Sequence, residues 1–454
     1  MTFKAQEIRA LLKLTLPIIA TQLAQVGMGT ADTLMSGYVS TRDLAAVAIG
    51  TSLWMPAWLF LAGVLVALSP LAARLNAARQ HGRLPHLLAA ALWLGIVLGT
   101  IAGILLWIGS LQLPAIVDDP VTARIAADYT LAIAIGMPGA GIFLAYRFYA
   151  EALNQPAQVT RIMLAGLALN IPVNAFLVYG WLGLPAMGGA GCGVGSSLIF
   201  VGMAMAIAHN TRKKRLPQDY PLWSQVLKPA AGQIREMLRI GIPIGIAIFF
   251  EVSLFTAIAL FLTELGPDVV AGHQVALNLT SLTFMIPLSV GMALTVRVGH
   301  WLGAGEQQLA RQTAWLGIAL NLCFALVNAT LMILFSAHIA GLYSPDPSVV
   351  AIASGLMMFG AVFQISDSTQ VAAAGALRGY HDTLAVMLIT FVAYWLIGLG
   401  LGYWFAFHAP QPMGAAGFWT GLVIGLTCAA LALSYRLYRI SHRQPAPPAV
   451  TADG

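Results

Sequence analysis

Apolar positions in this chain do not alternate with polar ones as they would along a half-buried strand. They form long runs, separated by short stretches that carry charges, prolines and glycines. A helix of about 20 mostly apolar residues crosses a bilayer. Twelve runs meet that length, near 14–36, 46–72, 87–110, 124–148, 160–179, 188–209, 238–263, 270–299, 313–336, 349–373, 383–407 and 414–436. The pattern predicts an all-α integral membrane protein of twelve transmembrane helices. The runs 46–72 and 270–299 exceed the hydrocarbon thickness, so tilted or bent helices are expected there. The longest polar stretch, 210–237, is too short to fold alone.

Composition supports the same class. Of 454 residues, 59% are hydrophobic and only 9% charged, whereas a soluble domain carries about 25% charged residues to solvate its surface. The charges that remain are unevenly placed. Lys4, Arg9 and Lys13 precede span 1, and Arg74, Arg79 and Arg83 follow span 2. Arg212, Lys213, Lys214 and Arg215 follow span 6, and Arg436, Arg439 and Arg443 follow the last span. The other side has Arg42 and Arg124 against Asp43, Asp118, Asp119, Glu264, Asp268 and Asp346. Lys and Arg accumulate in cytoplasmic loops, so both termini are expected in the cytoplasm, in a bacterial inner membrane. The net charge of +6 then reflects topology. Nucleic-acid binding would need one basic soluble face. Cys192, Cys323 and Cys428 show no paired spacing, and neither a disulfide framework nor a metal site is expected. The basic start and first apolar run are like a signal peptide, but a similar segment recurs mid-chain, which argues against cleavage.

That recurrence is a duplication. Leu14-Thr-Leu-Pro17 has a counterpart in Ile240-Gly-Ile-Pro243, and Asp43-Leu-Ala-Ala46 in Asp268-Val-Val-Ala271. Leu75-Asn-Ala-Ala78 matches Leu302-Gly-Ala-Gly305, and Gly188-Gly-Ala-Gly191 matches Gly414-Ala-Ala-Gly417. The expected organisation is an N-lobe of spans 1–6 (residues 1–209), a cytoplasmic linker (210–237), a C-lobe of spans 7–12 (238–437) and a cytoplasmic tail (438–454). Six spans per half gives parallel, pseudo-symmetric lobes, an arrangement that places substrate between or within the halves near the midplane.

Three acids fall well inside spans: Asp32, Glu251 and Asp367. A carboxylate in the membrane is costly and tends to face a cavity on an ion or substrate path; the bland alternative is a bond to backbone freed at a kink. Glu251 follows Pro243 by eight residues, and Asp367 lies in the polar run Gln364-Ile-Ser-Asp367-Ser-Thr-Gln370, with no basic residue nearby in either span as drawn. Facing each other, they would hold a proton or a desolvated cation. Asn170 and Asn174 in span 5 share a helical face, and Pro172 between them frees a carbonyl. With Asp32 they suggest a second carboxylate pocket, which Ser196 and Ser197 would join.

Trp54, Trp58, Tyr146, Phe148, Phe250, Phe284, Met285 and Tyr394 give the spans aromatic and thioether surface suited to a cationic or apolar ligand. Each alone reads better as packing or lipid contact. The Gly-rich 188–195 segment lacks the Gly-Lys-Ser/Thr ending of a phosphate loop. His273, His300 and His381 are isolated, near helix ends, and no nucleophile elbow appears. An enzyme is not expected.

Twelve spans in two halves, Pro17 with Asp32, Pro243 with Glu251, Asp367 in span 10, the Asn170-Ile-Pro-Val-Asn174 run and the Gly188/Gly414 repeats together resemble the multidrug and toxic compound extrusion (MATE) family, in its NorM-like branch, over nearly the whole chain. The resemblance implies a cation-coupled antiporter that exports amphipathic organic cations by alternating access, with two lobes forming a V. It implies a cation site at Glu251 and Asp367, with Na⁺ as one candidate ion, and a proton- or substrate-binding group of Asp32, Asn170, Asn174 and Ser196. Phe250, Phe284, Met285 and Phe363 would line the substrate cavity, and Pro17 and Pro243 would be hinges. No cofactor is implied beyond the coupling ion, Na⁺ or H⁺, and a monomer is expected. Some NorM-like members carry a tyrosine one turn before the span-10 acid; here it is Phe363, which removes an oxygen from a Na⁺ site. The rivals are a lipid-linked precursor or polysaccharide flippase, which needs a cationic cavity, and, outside coupled transport, a membrane enzyme or channel.

Overall fold

The computed structural model of the chain describes residues 3–183, 185–213 and 231–442. Among them there is no strand. Twelve helices are long and apolar enough to cross a membrane: α1 (Phe3–Val39), α2 (Thr41–Ala77), α3 (His81–Ile116), α4 (Pro120–Ala152), α5 (Pro156–Tyr179), α6 (Gly189–Thr211), α7 (Ala231–Leu265), α8 (Pro267–Gly303), α9 (Gln307–Tyr343), α10 (Pro347–Gly379), α11 (Thr383–His408) and α12 (Ala415–Ser441). Each apolar run coincides with one helix. Most helices outrun their apolar stretch, because a formed helix propagates through polar residues at little cost. The extension matters in α10, where Arg378, beyond the expected span 349–373, is helical. Lys214, Arg215 and Arg443, most of the expected linker and most of the tail lie outside the described residues.

The duplication is visible in backbone detail. Asp119 and Asp346 cap α4 and α10, accepting hydrogen bonds from the amides of Thr122 (3.1 Å) and Ser348 (2.8 Å), and each is followed by proline at the first helical position. The Thr122 hydroxyl and amide on Asp119, and the Ser348 amide and hydroxyl on Asp346, hold both carboxyls below the usual carboxylate range. Left-handed residues recur in pairs: Arg79 (φ 55°) and Gly305 (φ 81°) after α2 and α8, Asn154 (φ 58°) and His381 (φ 63°) after α4 and α10, and Gly188 (φ 55°) and Gly414 (φ 56°) before α6 and α12. A left-handed residue closes a helix end by letting the chain turn back onto its last carbonyls.

The helix breaks do not fall where prolines alone would put them. α1 and α7 continue through Pro17 and Pro243. α2 breaks between Leu65 and Leu68. Pro70 has no amide to give the Val66 carbonyl, and its ring crowds that oxygen; Ser69 N donates to Val66 O instead, at 2.9 Å. α11 widens into π-helical turns over Val392–Leu399 and Trp404–His408.

Helices α1 to α6 pack mainly on one another, α4 against α2, α3 and α6, and α1 against α5. In the second half α10 packs against α8, α9 and α12, and α7 against α11. The halves meet where α1 crosses α8, where α2 crosses α7, and where α2 meets α8. The first two crossings are equivalents under the duplication, and the third lies on its axis. Glycines make the approach possible. A Cβ on Gly63 would sit 2.7 Å from Gly245 Cα, one on Gly241 would strike the Val64 carbonyl, and one on Gly303 would strike that of Arg74. All of these contacts lie in the half of the bundle that carries the ends of the described chain.

A buried ion pair closes the same side. Glu7, early in α1, accepts two hydrogen bonds from Arg297 of α8, from Nε at 2.8 Å and Nη2 at 2.6 Å, and a third from Trp301 Nε1 at 3.2 Å. The Arg297 guanidinium lies 5.2 Å from the Trp301 ring, and Phe3 packs edge-on to that ring.

Candidate functional site

Two carboxylate centres lie inside the bundle, one in each half. In the first, Asp32 of α1 is buried and faces α5 and α6. Oδ1 accepts from Asn174 Nδ2 at 2.6 Å and from Asn170 Nδ2 at 3.3 Å; Oδ2 accepts from Ser196 Oγ at 2.8 Å. One helical turn separates the two amides, so α5 presents them together, and Asn174 Nδ2 also reaches Asn170 Oδ1 at 3.4 Å. Neutral donors therefore solvate this carboxylate, which has no ion-pair partner among the described residues. Asn174 Oδ1 has no partner of its own. It faces Gly195 so closely that a Cβ there would run into it. Ser197, expected beside Ser196, turns away and donates to Ala132 O at 2.6 Å.

Tyr129 of α4 completes this wall, and sequence reading passed it over. It is buried, stands within electrostatic reach of Asp32, and its hydroxyl accepts from Trp54 Nε1 at 3.1 Å. A lone tyrosine in an apolar run carries no signal in the sequence; only the packing of α4 on α2 and α6 places it here.

Around Pro17, α1 is held by side chains of the same half. Pro17 O accepts from Thr160 Oγ1 of α5 at 2.7 Å and from Thr21 Oγ1 at 3.0 Å. One turn on, Gln22 Oε1 accepts from Arg147 Nη2 of α4 at 2.6 Å, and Arg147 Nε pairs with Glu151 at 3.0 Å.

The second centre is less satisfied. Asp367 of α10 is 2% exposed. Its Oδ1 accepts from Gln370 Nε2 at 3.2 Å, while Oδ2 is buried without a partner. Beside it, Ser368 Oγ and Asn321 Oδ1 are also buried and unpartnered, although Asn321 Nδ2 donates to Ser368 O at 2.8 Å. Buried polar atoms in native proteins are nearly always paired, with protein or with a bound species. Glu251 of α7 is partly buried, has no hydrogen bond or ion pair among the described residues, and lies within electrostatic reach of Asp367. The two acids, on α7 and α10, are thus close enough to act on each other electrostatically.

The expectation that no basic residue lies near this pair is corrected: Arg378 of α10 acts on Glu251. It was missed because α10 runs on past the apolar stretch that marked the span. Tyr394 of α11 is buried within reach of Glu251, Asp367 and Arg378. Next to it, Trp395 Nε1 donates to Phe250 O at 3.1 Å, and Phe250 packs on Phe391 at 4.8 Å between ring centres. These contacts seat α11 on α7 one residue from Glu251.

The four aromatic and thioether candidates separate. Phe250, Phe284 and Met285 are partly exposed. Phe363 is buried and packs edge-on to Phe255 and Trp419, inside the second half. Trp58, Tyr146, Phe148 and Tyr394 are buried, as packing residues are. His273, in the second turn of α8, is fully buried, its Nδ1 accepting from Trp419 Nε1 at 3.2 Å. All three cysteines are unpaired. Among the described residues no three His, Cys, Asp or Glu side chains converge as metal ligands.

Comparison with known proteins follows this geometry closely. The sequence matches the family model MatE over residues 17–176 and 243–404, one segment in each half. The multidrug resistance protein PmpM of Pseudomonas aeruginosa is 43% identical over 444 residues, 96% of this chain and 92% of that protein. The multidrug resistance protein MdtK of Yersinia pseudotuberculosis is 40% identical over 442 residues, 97% of this chain and 96% of that protein. Among solved structures, the MATE transporter NorM-NG, in a complex that includes a monobody, superposes with a TM-score of 0.80 at 33% identity, covering 94% of this chain and 93% of that one.

Proposed function

The chain belongs to the MatE family, and on that premise we propose that it is a cation-coupled antiporter that exports amphipathic organic cations from the bacterial cytoplasm by alternating access. Transport, not enzymatic conversion, is what the family and the multidrug resistance relatives have in common. The observation that carries the reading is the pair of intramembrane carboxylate centres, each offering an uncompensated negative charge. Asp32 is held only by neutral amides and a hydroxyl. Asp367 keeps one oxygen unpaired beside Glu251. A positive charge entering either centre removes the cost of a bare anion in low dielectric.

In this reading the halves are the two lobes, residues 1–209 and 238–437, and the side bearing the termini is cytoplasmic. The Glu7–Arg297 pair and the glycine crossings seal that side, so the conformation is closed to the cytoplasm. A coupling ion, Na⁺ or H⁺, binds at Glu251 and Asp367, or a proton at Asp32. Drug and ion then compete for the same carboxylates, and exchange follows because only one is held at a time. The states interconvert by rocking of the lobes, with α1 and α7 free to bend near Pro17 and Pro243. A ligand shifts that equilibrium only by its differential affinity for the two states. The transporter acts as a monomer, without nucleic acid or cofactor, and Phe363, lacking a hydroxyl, leaves a bound Na⁺ to draw its oxygens from the two carboxylates and water.

The flippase reading needs a cationic cavity. Two of the basic residues that would have supplied it, Arg147 and Arg297, are paired with Glu151 and Glu7. Drug-stimulated ion flux through reconstituted protein tests the proposal: ethidium movement in exchange for Na⁺ or H⁺ is expected, and lipid-linked anion transport without cation exchange would replace it.

A further inference from the structure

The first centre stands beside an aromatic cluster that α2 leaves open at one point. One face of α2 turns inward on Asp43, Val47, Gly50, Trp54, Trp58 and Leu61, spaced by three and four residues as one helical stripe is. Of these, Trp54 alone is half-buried and the rest are buried. Its indole is held by interior residues. Nε1 donates to the hydroxyl of buried Tyr129 on α4 at 3.1 Å, and the ring centre lies 6.3 Å from that of buried Phe200 on α6. The accessible part of Trp54 therefore borders open space inside the first half, not lipid. α6 sets how far this ring is from Asp32. Cys192 Sγ donates to Asp32 O at 3.6 Å, and Ser196 Oγ to Asp32 Oδ2 at 2.8 Å. Between them Gly193 abuts Tyr129, where a Cβ would lie 2.6 Å from the Tyr129 carbonyl oxygen. Phe200 follows Ser196 by four residues on the same face, meets Trp54 and stacks on Trp58 at 5.0 Å. About one turn of α6 thus separates the Asp32 carboxylate from the indole. The bond to Tyr129 occupies the edge of that indole and leaves its face, the side that attracts a cation.

We propose that Trp54 is the aromatic platform of the first half, on whose face an organic cation lies while Asp32 neutralises its charge. Trp54 in this role touches the cargo, and Tyr129 is a positioning residue that orients the indole. A ring already fixed by its neighbours loses little freedom when the cation arrives. Ring and carboxylate act on the same positive charge, so each contributes less without the other. The arrangement favours cations with aromatic or quaternary surface over a compact, strongly hydrated ammonium. The inference rests on the reading of Asp32 as a cargo carboxylate.

Ethidium binding to the purified full chain in nanodiscs, read by dye fluorescence, tests this without requiring turnover. Trp54→Phe keeps an aromatic face and drops the indole N–H, Trp54→Leu and Trp54→Met remove the ring, and each is measured with Asp32 native and as Asp32→Asn. Removing the ring should weaken binding about tenfold, and Trp54→Phe by no more than about threefold. With Asp32→Asn in place, loss of the ring should cost far less, because two groups acting on one charge are not additive. Native affinity in whichever ring-less variant folds overturns the inference. An equal loss in Trp54→Phe does so too, since the bond to Tyr129 and not the aromatic face would then be what matters. A full tenfold loss both with and without Asp32 shows that the ring acts apart from the carboxylate, and likewise overturns it. Ethidium binding that survives Asp32→Asn alone undiminished fails the cargo reading of Asp32 instead, which separates the two claims.

Discussion

Asn174 Nδ2 donates a 2.6 Å hydrogen bond to Asp32 Oδ1, joining the C-terminal part of α1 to α5 across 142 residues of sequence. Asn170 and Ser196 complete a cage of neutral donors around an acid that no cation among the described residues neutralises. The second half has the opposite character. Its two acids act on each other electrostatically, and neither Glu251 nor Asp367 Oδ2 has a hydrogen-bond partner among the described residues. The duplication has produced two centres that handle charge differently, which suits the proposed exchange of a cationic cargo for a cationic coupling ion.

Asp32→Asn keeps the size of the side chain and most of its packing but removes the charge. Ethidium efflux from proteoliposomes should fall at least tenfold while the chromatographic profile of the folded protein is retained; a loss of more than about 1.4 kcal/mol of cation stabilisation gives that factor. Efflux at the native rate would remove Asp32 from the cargo path.

Gly195→Ala tests the cage without touching the charge. The new Cβ would run into Asn174 Oδ1, so the asparagine must turn and give up its bond to Asp32. Efflux should fall by severalfold with Asp32 intact, and pairing the change with Asn174→Ala should cost no more than either alone, because coupled neighbours are not additive. Fully additive losses would show that Gly195 acts elsewhere.

Glu7→Gln opens the terminal side. Removing one partner of a buried ion pair costs about 3–5 kcal/mol, and here the penalty falls on the closed state, which alone needs Arg297 against Glu7. Single cysteines placed near the end of α8 should become more reactive toward an aqueous thiol reagent. The double variant Glu7→Gln/Arg297→Gln should recover part of the closure, since it leaves no buried charge unpaired. Unchanged reactivity in the single variant would show that the glycine crossings alone seal this side.

Much of this was legible before any coordinates. Spans announce themselves because a bilayer demands about 20 apolar residues per helix and leaves nothing ambiguous in period. Asp32, Glu251 and Asp367 stood out because a carboxylate in such a run has no inexpensive explanation, and the spacing of Asn170 and Asn174 placed both on one face. Tyr129 was invisible, since tyrosine is ordinary in a membrane helix and its neighbours come from three other helices. Arg378 carries no such signal, because apolarity fades before α10 ends and the charge lies beyond the apolar run. The break in α2 was hidden for a different reason. Pro70 lies past it, and the carbonyl whose regular helical bond it denies belongs to Val66, four residues back. Glu7 and Arg297 are far apart in sequence, each near a helix end, and no sequence pattern pairs them.

The central claim is that the two carboxylate centres couple ion entry to drug exit. The most direct test is ethidium efflux from proteoliposomes driven first by an imposed Na⁺ gradient and then by an imposed pH gradient, with Glu251→Gln and Asp32→Asn measured alongside the native chain. The account predicts efflux under at least one gradient, abolished or strongly reduced by loss of either acid. Efflux that proceeds at the same rate without any gradient, or that both variants sustain at the native level, would contradict it.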